Sequence, residues 1–411
     1  MIQFERFTLD NGLTVIVHED TSTPLVALNI LYKVGARDEH PEQTGFAHLF
    51  EHLMFGGSVN IPSYDEPLQR AGADNNAFTN NDITNYYLTL PAQNLETGFW
   101  LESDRMLSLA FTEKSLEVQR NVVVEEFKQR YLNQPYGDVW LLLRPLAYKK
   151  HPYQWATIGK EVSHIENAVL DDVKAFFKKW YAPNNAILTI AGNCNLKLAK
   201  ELCEKWFAGI PKAAVPNRNL PQEPVQTEQR ILEVTRDVPS TQVYLAWHCC
   251  ARTDDDFYAT DLLSDVLSRG KSSRLYQKLV KEKKLFTDIG AYMLGDIDKS
   301  LFLIEGKLVN GITPEIAEAS IYEVIEQVKS DITETELQKV KHKAEASFVF
   351  SEMSIGNKAL NMAYFEMLGD VSEVNLQVER YNAVTIDDIS RIAKEILRPE
   401  NCSLLRYKSS K

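Results

Sequence analysis

His48-Leu49-Phe50-Glu51-His52 places two histidines four residues apart with a glutamate between them. On a helix that spacing puts both imidazoles and the carboxylate on one face. It is the ligand-and-base arrangement of a zinc hydrolase, in inverted order relative to the commoner His-Glu-x-x-His. The chain has only 8 histidines in 411 residues, so this spacing rarely arises by chance.

At about 100° per residue, Phe46, Leu49, Phe50, Leu53 and Met54 gather on one side of the helical wheel. His48, Glu51 and His52 gather on the other. The apolar side can anchor the helix while the other presents two imidazoles and a carboxylate. Zinc needs a third protein ligand and an open position for water. No second histidine or cysteine cluster exists, so the candidates are carboxylates. Glu125 and Glu126 follow Val122-Val123-Val124 on a helix expected to begin near Glu113. Its apolar stripe is read as Leu116, Val122, Val123 and Phe127. Glu126 then projects within the stripe, and Glu125 at its edge. A carboxylate in an apolar stripe is costly unless something compensates it, and a metal ion would. Gln119, two turns earlier, shares the face of Glu126. Gln119 and Glu125 are expected beside the ligand as hydrogen-bonding neighbours.

Further out, the chain reads as two related halves. Ala168-Val169-Leu170-Asp171-Asp172-Val173 is echoed by Ala383-Val384-Thr385-Ile386-Asp387-Asp388-Ile389. Pro183-Asn184-Asn185 is echoed by Pro399-Glu400-Asn401, and Arg37-Asp38-Glu39 by Arg252-Thr253-Asp254. Between 211 and 228 lie Pro211, Pro216, Pro221 and Pro224 in a polar stretch without helical or strand period, which reads as a linker. The expected domains are 1–210, carrying the histidine motif, and 229–411, a duplicate of it. Opposite the motif the second half has Asp261-Leu262-Leu263-Ser264-Asp265, with no histidine, so one metal per chain is expected.

Each half mixes strands and helices. Residues 7–18 read as a hairpin turning at Asn11-Gly12, and 25–34, 186–191 and 241–250 as strands. Helices are expected at 44–55, 96–108, 113–131, 169–181, 257–268, 314–329, 334–350 and 386–397. Thr333-x-x-Glu336 is expected to form a capping box for one of these helices. The interleaving gives an α+β class. His248, Cys249 and Cys250 are read as alternating core and surface residues, because neighbours on a strand point to opposite faces.

Composition sets the outer bounds. Hydrophobic residues make up 44% and charged residues 25%, ordinary for a globular protein, and no apolar run reaches membrane-spanning length. A net charge of −12 speaks against non-specific nucleic-acid binding. Five scattered cysteines form no disulfide framework and fit a reducing compartment. Met1-Ile2-Gln3-Phe4-Glu5-Arg6 lacks a signal-peptide pattern, so the expected location is the cytoplasm, or the periplasm if the chain is trimmed.

His48-x-x-Glu51-His52 with Val122-Val123-Val124-Glu125-Glu126 resembles the inverzincin metallopeptidases, which include pitrilysin, insulin-degrading enzyme and the mitochondrial processing peptidase. The half-length chain is most similar to the processing-peptidase-like bacterial subfamily. The resemblance extends through Leu9-Asp10-Asn11-Gly12-Leu13, Gly35-Ala36-Arg37-Asp38-Glu39, Asn75-Asn76-Ala77-Phe78-Thr79 and His151-Pro152-Tyr153. It implies two homologous domains, each a mainly antiparallel sheet with helices packed on it, forming half of a clamshell. It implies that His48, His52 and Glu126 bind one Zn2+ and that Glu51 is the general base. It also implies that a peptide lies as an added strand along Asn76, Ala77 and Phe78.

Two departures from the family stand out. The family often has a glutamate where Gln119 stands. Members that work alone carry an arginine and a tyrosine seven residues apart in the second half. Aligned on Ser272-Ser273-Arg274-Leu275-Tyr276, those positions fall on Val280 and Thr287. Lys281, Lys283 or Arg274 would have to substitute, or a partner supply the pair. The resemblance therefore implies a zinc endopeptidase that works with a homologous partner subunit, as a heterodimer or a homodimer. The competing reading is a non-catalytic scaffold subunit, a class that usually loses the His-Glu-His set.

Overall fold

A computed structural model describes residues 1–411. The chain forms two compact units, each built on its own sheet.

The first unit comprises 1–129, 155–220 and 349–376. Its strands are β1 (Glu5–Thr8), β2 (Thr14–Glu19), β3 (Leu25–Tyr32), β4 (Asp74–Thr79), β5 (Thr84–Pro91) and β6 (Ala186–Gly192). They lie in the order β1-β2-β6-β3-β5-β4, antiparallel except for the β2–β6 pair. Strands β3 and β6 are buried almost throughout, as the continuous apolar runs at 25–34 and 186–191 require. β4 pairs on one side only and forms an edge of the sheet.

The second unit comprises 130–154, 221–348 and 377–411. Its strands are β7 (Arg230–Arg236), β8 (Gln242–His248), β9 (Phe286–Met293), β10 (Leu301–Leu308) and β11 (Cys402–Ser409), in the order β7-β11-β8-β10-β9. Again one pair, β7–β11, is parallel. The path β2-β6-β3-β5-β4 of the first sheet is therefore repeated strand for strand. β6 starts at Ala186 and β11 at Cys402, a separation of 216 residues. The fold is α+β and duplicated.

The units do not divide the chain at a single point. Leu220/Pro221 is one crossing, inside 211–228, but the helix Val139–Ala147 belongs to the second unit and Ile355–Leu368 to the first. Leu143 and Ala147 pack with Tyr244, Ala246 and Leu405 of the second sheet, while Ala359 and Met362 lie on a helix that covers β3 and β6. An apolar helical face reveals that it must be covered but not which sheet covers it.

The main core of the second unit gathers Leu262, Leu263 and Val266 of the helix Phe257–Ser268 with Ile321 and Ile325 of Pro314–Val328 and Ile392 of Ile386–Ile396. Thr333 and Glu336 form the capping box: the Thr333 amide donates to Glu336 Oε2 at 3.0 Å, and the Glu336 amide to Thr333 Oγ1 at 3.3 Å. Arg274 adds to it, its guanidinium donating to both Glu336 oxygens and to Asp331. These bonds hold the Glu336 carboxyl down at about 2, with Arg274 the largest cause.

Candidate active site

The motif helix runs Phe46–Leu53. Phe46, Leu49, Phe50, Leu53 and Met54 are buried, as the wheel requires. Phe50 stacks on Phe176 and Tyr181 with ring centroids 5.1 and 5.0 Å apart, fixing the helix against Leu170–Trp180. The Tyr86 hydroxyl of β5 donates to the Phe50 carbonyl at 3.3 Å. Tyr86 in turn lies under the buried Arg105 guanidinium, 4.3 Å from its ring centre.

On the opposite side His48 and His52 stand edge to face, 4.8 Å between ring centres. Glu126, on the helix Glu113–Phe127, reaches both: its Oε2 is 3.7 Å from His48 Nε2 and 3.3 Å from His52 Nε2. Among all His, Cys, Asp and Glu side chains this trio alone can converge on one ion, with ligand atoms within 4.8 Å of one another. Two imidazole nitrogens and one carboxylate oxygen are the donor set of a catalytic zinc site with an open position. The residues fit the metal. Glu51 is half-buried on the same helix. Its charge is felt at Tyr86 and Tyr181, whose hydroxyls are pushed up, first by burial and then by neighbouring groups that include Glu51.

The stripe of the second helix differs from its sequence reading. Leu116, Val123, Val124 and Phe127 are buried, whereas Val122 is 45% exposed. Arg120 shares the inward-facing side, with its guanidinium donating to the Ala168 carbonyl at 2.9 Å. A polar residue on that side hid the true period. Glu125 turns to solvent and pairs with Lys128 at 2.9 Å, not with the His48, His52 and Glu126 cluster beside which it was expected. Gln119 is half-buried on the helix that carries Glu126. Asn76, Ala77 and Phe78 lie on the edge strand β4, against which the motif helix packs. Val280 packs against the second unit's core, and Thr287 on β9 donates to the Lys307 carbonyl. Arg274 is held by Asp331 and Glu336, and Lys283 by Glu323.

Glu39 supports this site from outside the motif helix. Glu39 is buried, and its two oxygens each accept a main-chain amide at the start of the motif helix: Gly45 at 2.8 Å and Ala47 at 2.8 Å. Burial pushes its carboxyl up to about 8, against the pull of those amides.

Residues 14–158 match the family described as Insulinase (Peptidase family M16), and 167–344 match the Peptidase M16 inactive domain. The zinc protease PqqE of Helicobacter pylori is 31% identical over 402 residues, covering 96% of this chain and 90% of that protein. The chain belongs to peptidase family M16. A crystal structure of a protease from Helicobacter pylori superposes with a TM-score of 0.94 at 31% identity, covering 99% of this chain and 100% of that one. Pitrilysin shares the fold at a TM-score of 0.78 and 17% identity, covering 99% of this chain but 45% of pitrilysin. The M16 assignment divides as the side chains do: the converging donors fall in the first match and none in the second. No helix is long and apolar enough to cross a membrane.

Proposed function

We propose that this M16 chain is a zinc-dependent endopeptidase acting on extended peptides, with His48, His52 and Glu126 holding one zinc and Glu51 as general base. The observation that carries the reading is the approach of Glu126 to both imidazoles, on the helix face that also carries Glu51. Zinc, when bound, supplies a Lewis acid that polarises the scissile carbonyl and acidifies water. Glu51 accepts the proton of the attacking water and returns it to the leaving amine. The edge strand β4 is paired with a neighbouring strand on one side only, and its outer side along Asn76, Ala77 and Phe78 would take an added peptide strand through main-chain bonds, which makes binding tolerant of side-chain identity.

We further propose that the chain is the zinc-bearing member of a two-chain peptidase. Val280 and Thr287 occupy the positions where an arginine and a tyrosine would face the substrate, and Arg274 and Lys283 are held in ion pairs. The test is cleavage of a quenched peptide library by the chain alone and with the homologous product of a neighbouring gene. Activity that rises at least ~100-fold with the partner supports the two-chain reading. Full turnover by the lone chain removes the partner and leaves the peptidase. No cleavage under either condition, with zinc bound, favours the scaffold reading.

A further inference from the structure

The segment Gly35–Glu39 links the edge strand to the motif helix through bonds at both of its ends. At its start the Ala36 amide donates to the Asn80 carbonyl at 3.0 Å and the Arg37 amide to the Asn81 carbonyl at 2.9 Å. Asn80 and Asn81 follow directly on β4. Arg37 then pairs with the buried Asp82 at 3.0 Å. The backbones approach so closely that a Cβ on Gly35 would lie 2.5 Å from the Asn81 carbonyl carbon and oxygen, so only glycine fits. Trp155 Nε1 donates to the Ala36 carbonyl at 2.9 Å, and Asp38 accepts from Arg218 Nε at 2.6 Å.

At the other end is Glu39, bonded to the Gly45 and Ala47 amides. Gly45 is the N-cap, in the left-handed region at φ 88°, and has no side chain with which to cap the helix itself. Glu39 does that work from outside the helix. Its two oxygens satisfy two of the four amides a helix start leaves unpaired. The second capped amide is that of Ala47, next to the ligand His48. The motif helix is only 8 residues long, so its start fixes the rotation of the whole helix about its axis.

We infer that Glu39 is a positioning residue for the metal ligands, and that Gly35–Glu39 sets the register of the β4 edge against His48 and His52. The strap is hydrogen-bonded to the turn after β4 at one end and to the first turn of the metal helix at the other. A shift of that helix relative to β4 moves the bound carbonyl away from the base without altering any ligand. This inference rests on the zinc reading above and adds a residue to it.

Glu39→Gln keeps the size but replaces one oxygen by a donor that faces an amide. Glu39→Asp keeps the carboxyl group but is one methylene too short to reach both amides, and it serves if the glutamine variant does not fold. Zinc release from the loaded full-length chain is followed with a chromogenic chelator, alongside thermal unfolding and the separate values of kcat and KM. Thr333→Ala, which removes a helix cap in the second unit, is the control for a general loss of stability. The expected result is zinc release ~10–100-fold faster in both Glu39 variants, the size seen when a ligand's supporting shell is removed, with kcat falling more than KM rises. Thr333→Ala releases zinc at the wild-type rate. Release within twofold of wild type in both Glu39 variants overturns the inference, as does an equal acceleration by Thr333→Ala. A wild-type chain that binds no zinc fails the underlying zinc reading instead, so the two failures are distinct.

Discussion

The motif helix and its counterpart in the second unit share a frame but not a set of metal-binding donors. Both lie on sheets of the same strand path, and both carry a pair of polar side chains at i and i+4 beside a buried apolar face. In the first unit the pair is His48 and His52, and a carboxylate from a second helix comes to it. In the second the pair is Asp261 and Asp265. Asp261 accepts from the Tyr381 hydroxyl at 2.6 Å, and Asp265 is paired with Arg269 at 3.3 Å. The frame thus delivers two side chains to one place in each unit. Whether that place can take a metal depends on donor chemistry: two imidazoles met by a carboxylate from a second helix in one, and acids held by a tyrosine and a guanidinium in the other.

The largest expected effect separates the two helices by activity. Glu51→Gln should lower kcat by ~10²–10⁴-fold, the usual contribution of a general base, with zinc content unchanged. Asp265→Asn should leave kcat within about twofold. Comparable losses from both substitutions would erase the distinction.

Glu126→Gln should reduce retained zinc well below one per chain on exhaustive dialysis, read by elemental analysis, since it weakens one of three protein ligands. Asp261→Asn should change zinc content not at all. A Glu126→Gln chain that still holds a full equivalent would remove Glu126 from the ligand set.

A smaller effect concerns the two edge strands. Ala77→Pro removes a β4 amide that donates to Asn76 Oδ1 at 2.8 Å and would pass to an added peptide strand, and it should raise KM by up to about 10-fold, near the ~1–1.5 kcal/mol of one hydrogen bond, with kcat little changed. The same change at Ala291 of β9 should affect stability but not KM.

The smallest concerns pH. Burial, the largest cause, raises the Asp265 carboxyl to about 6 from an ordinary 3.8. The folded state therefore favours its protonated form. That contribution is fully present below about 3.8 and is lost as pH rises through 6. Asp265→Asn should thus stabilise the chain by about 1–3 kcal/mol at pH 8 and by almost nothing at pH 3.5, measured by thermal unfolding across pH. The Arg274–Glu336 pair has the opposite sign. The Glu336 carboxyl is lowered to about 2, so its contribution is present above the unfolded value near 4.5 and is lost as pH falls through 2.

Much of this was legible in sequence because the signals were local. His48, Glu51 and His52 declare themselves by spacing, and the capping box at Thr333 and Glu336 by residue type. The echo of Ala168–Val173 at Ala383–Ile389 reports a duplicated sheet path. What stayed hidden depended on partners distant in the chain. The helix 355–368 has an apolar face but gives no clue that it covers β3 and β6 of the first unit. Val122 is apolar yet faces solvent, while the polar Arg120 takes a place on the inward side through its bond to the Ala168 carbonyl, so residue type alone misplaces the stripe. The strand at 241–250 ends at His248, so Cys249 and Cys250 lie beyond the alternation used to place them. Glu39 was visible only as a letter in a run, since its role depends on a left-handed glycine six residues later.

The most direct test of the account is a zinc-edge anomalous diffraction map of the full chain grown with zinc at one equivalent. The account predicts a single anomalous peak bounded by His48, His52 and Glu126, and none beside Asp261 and Asp265. No peak at the first position, or a peak at the second, would contradict it.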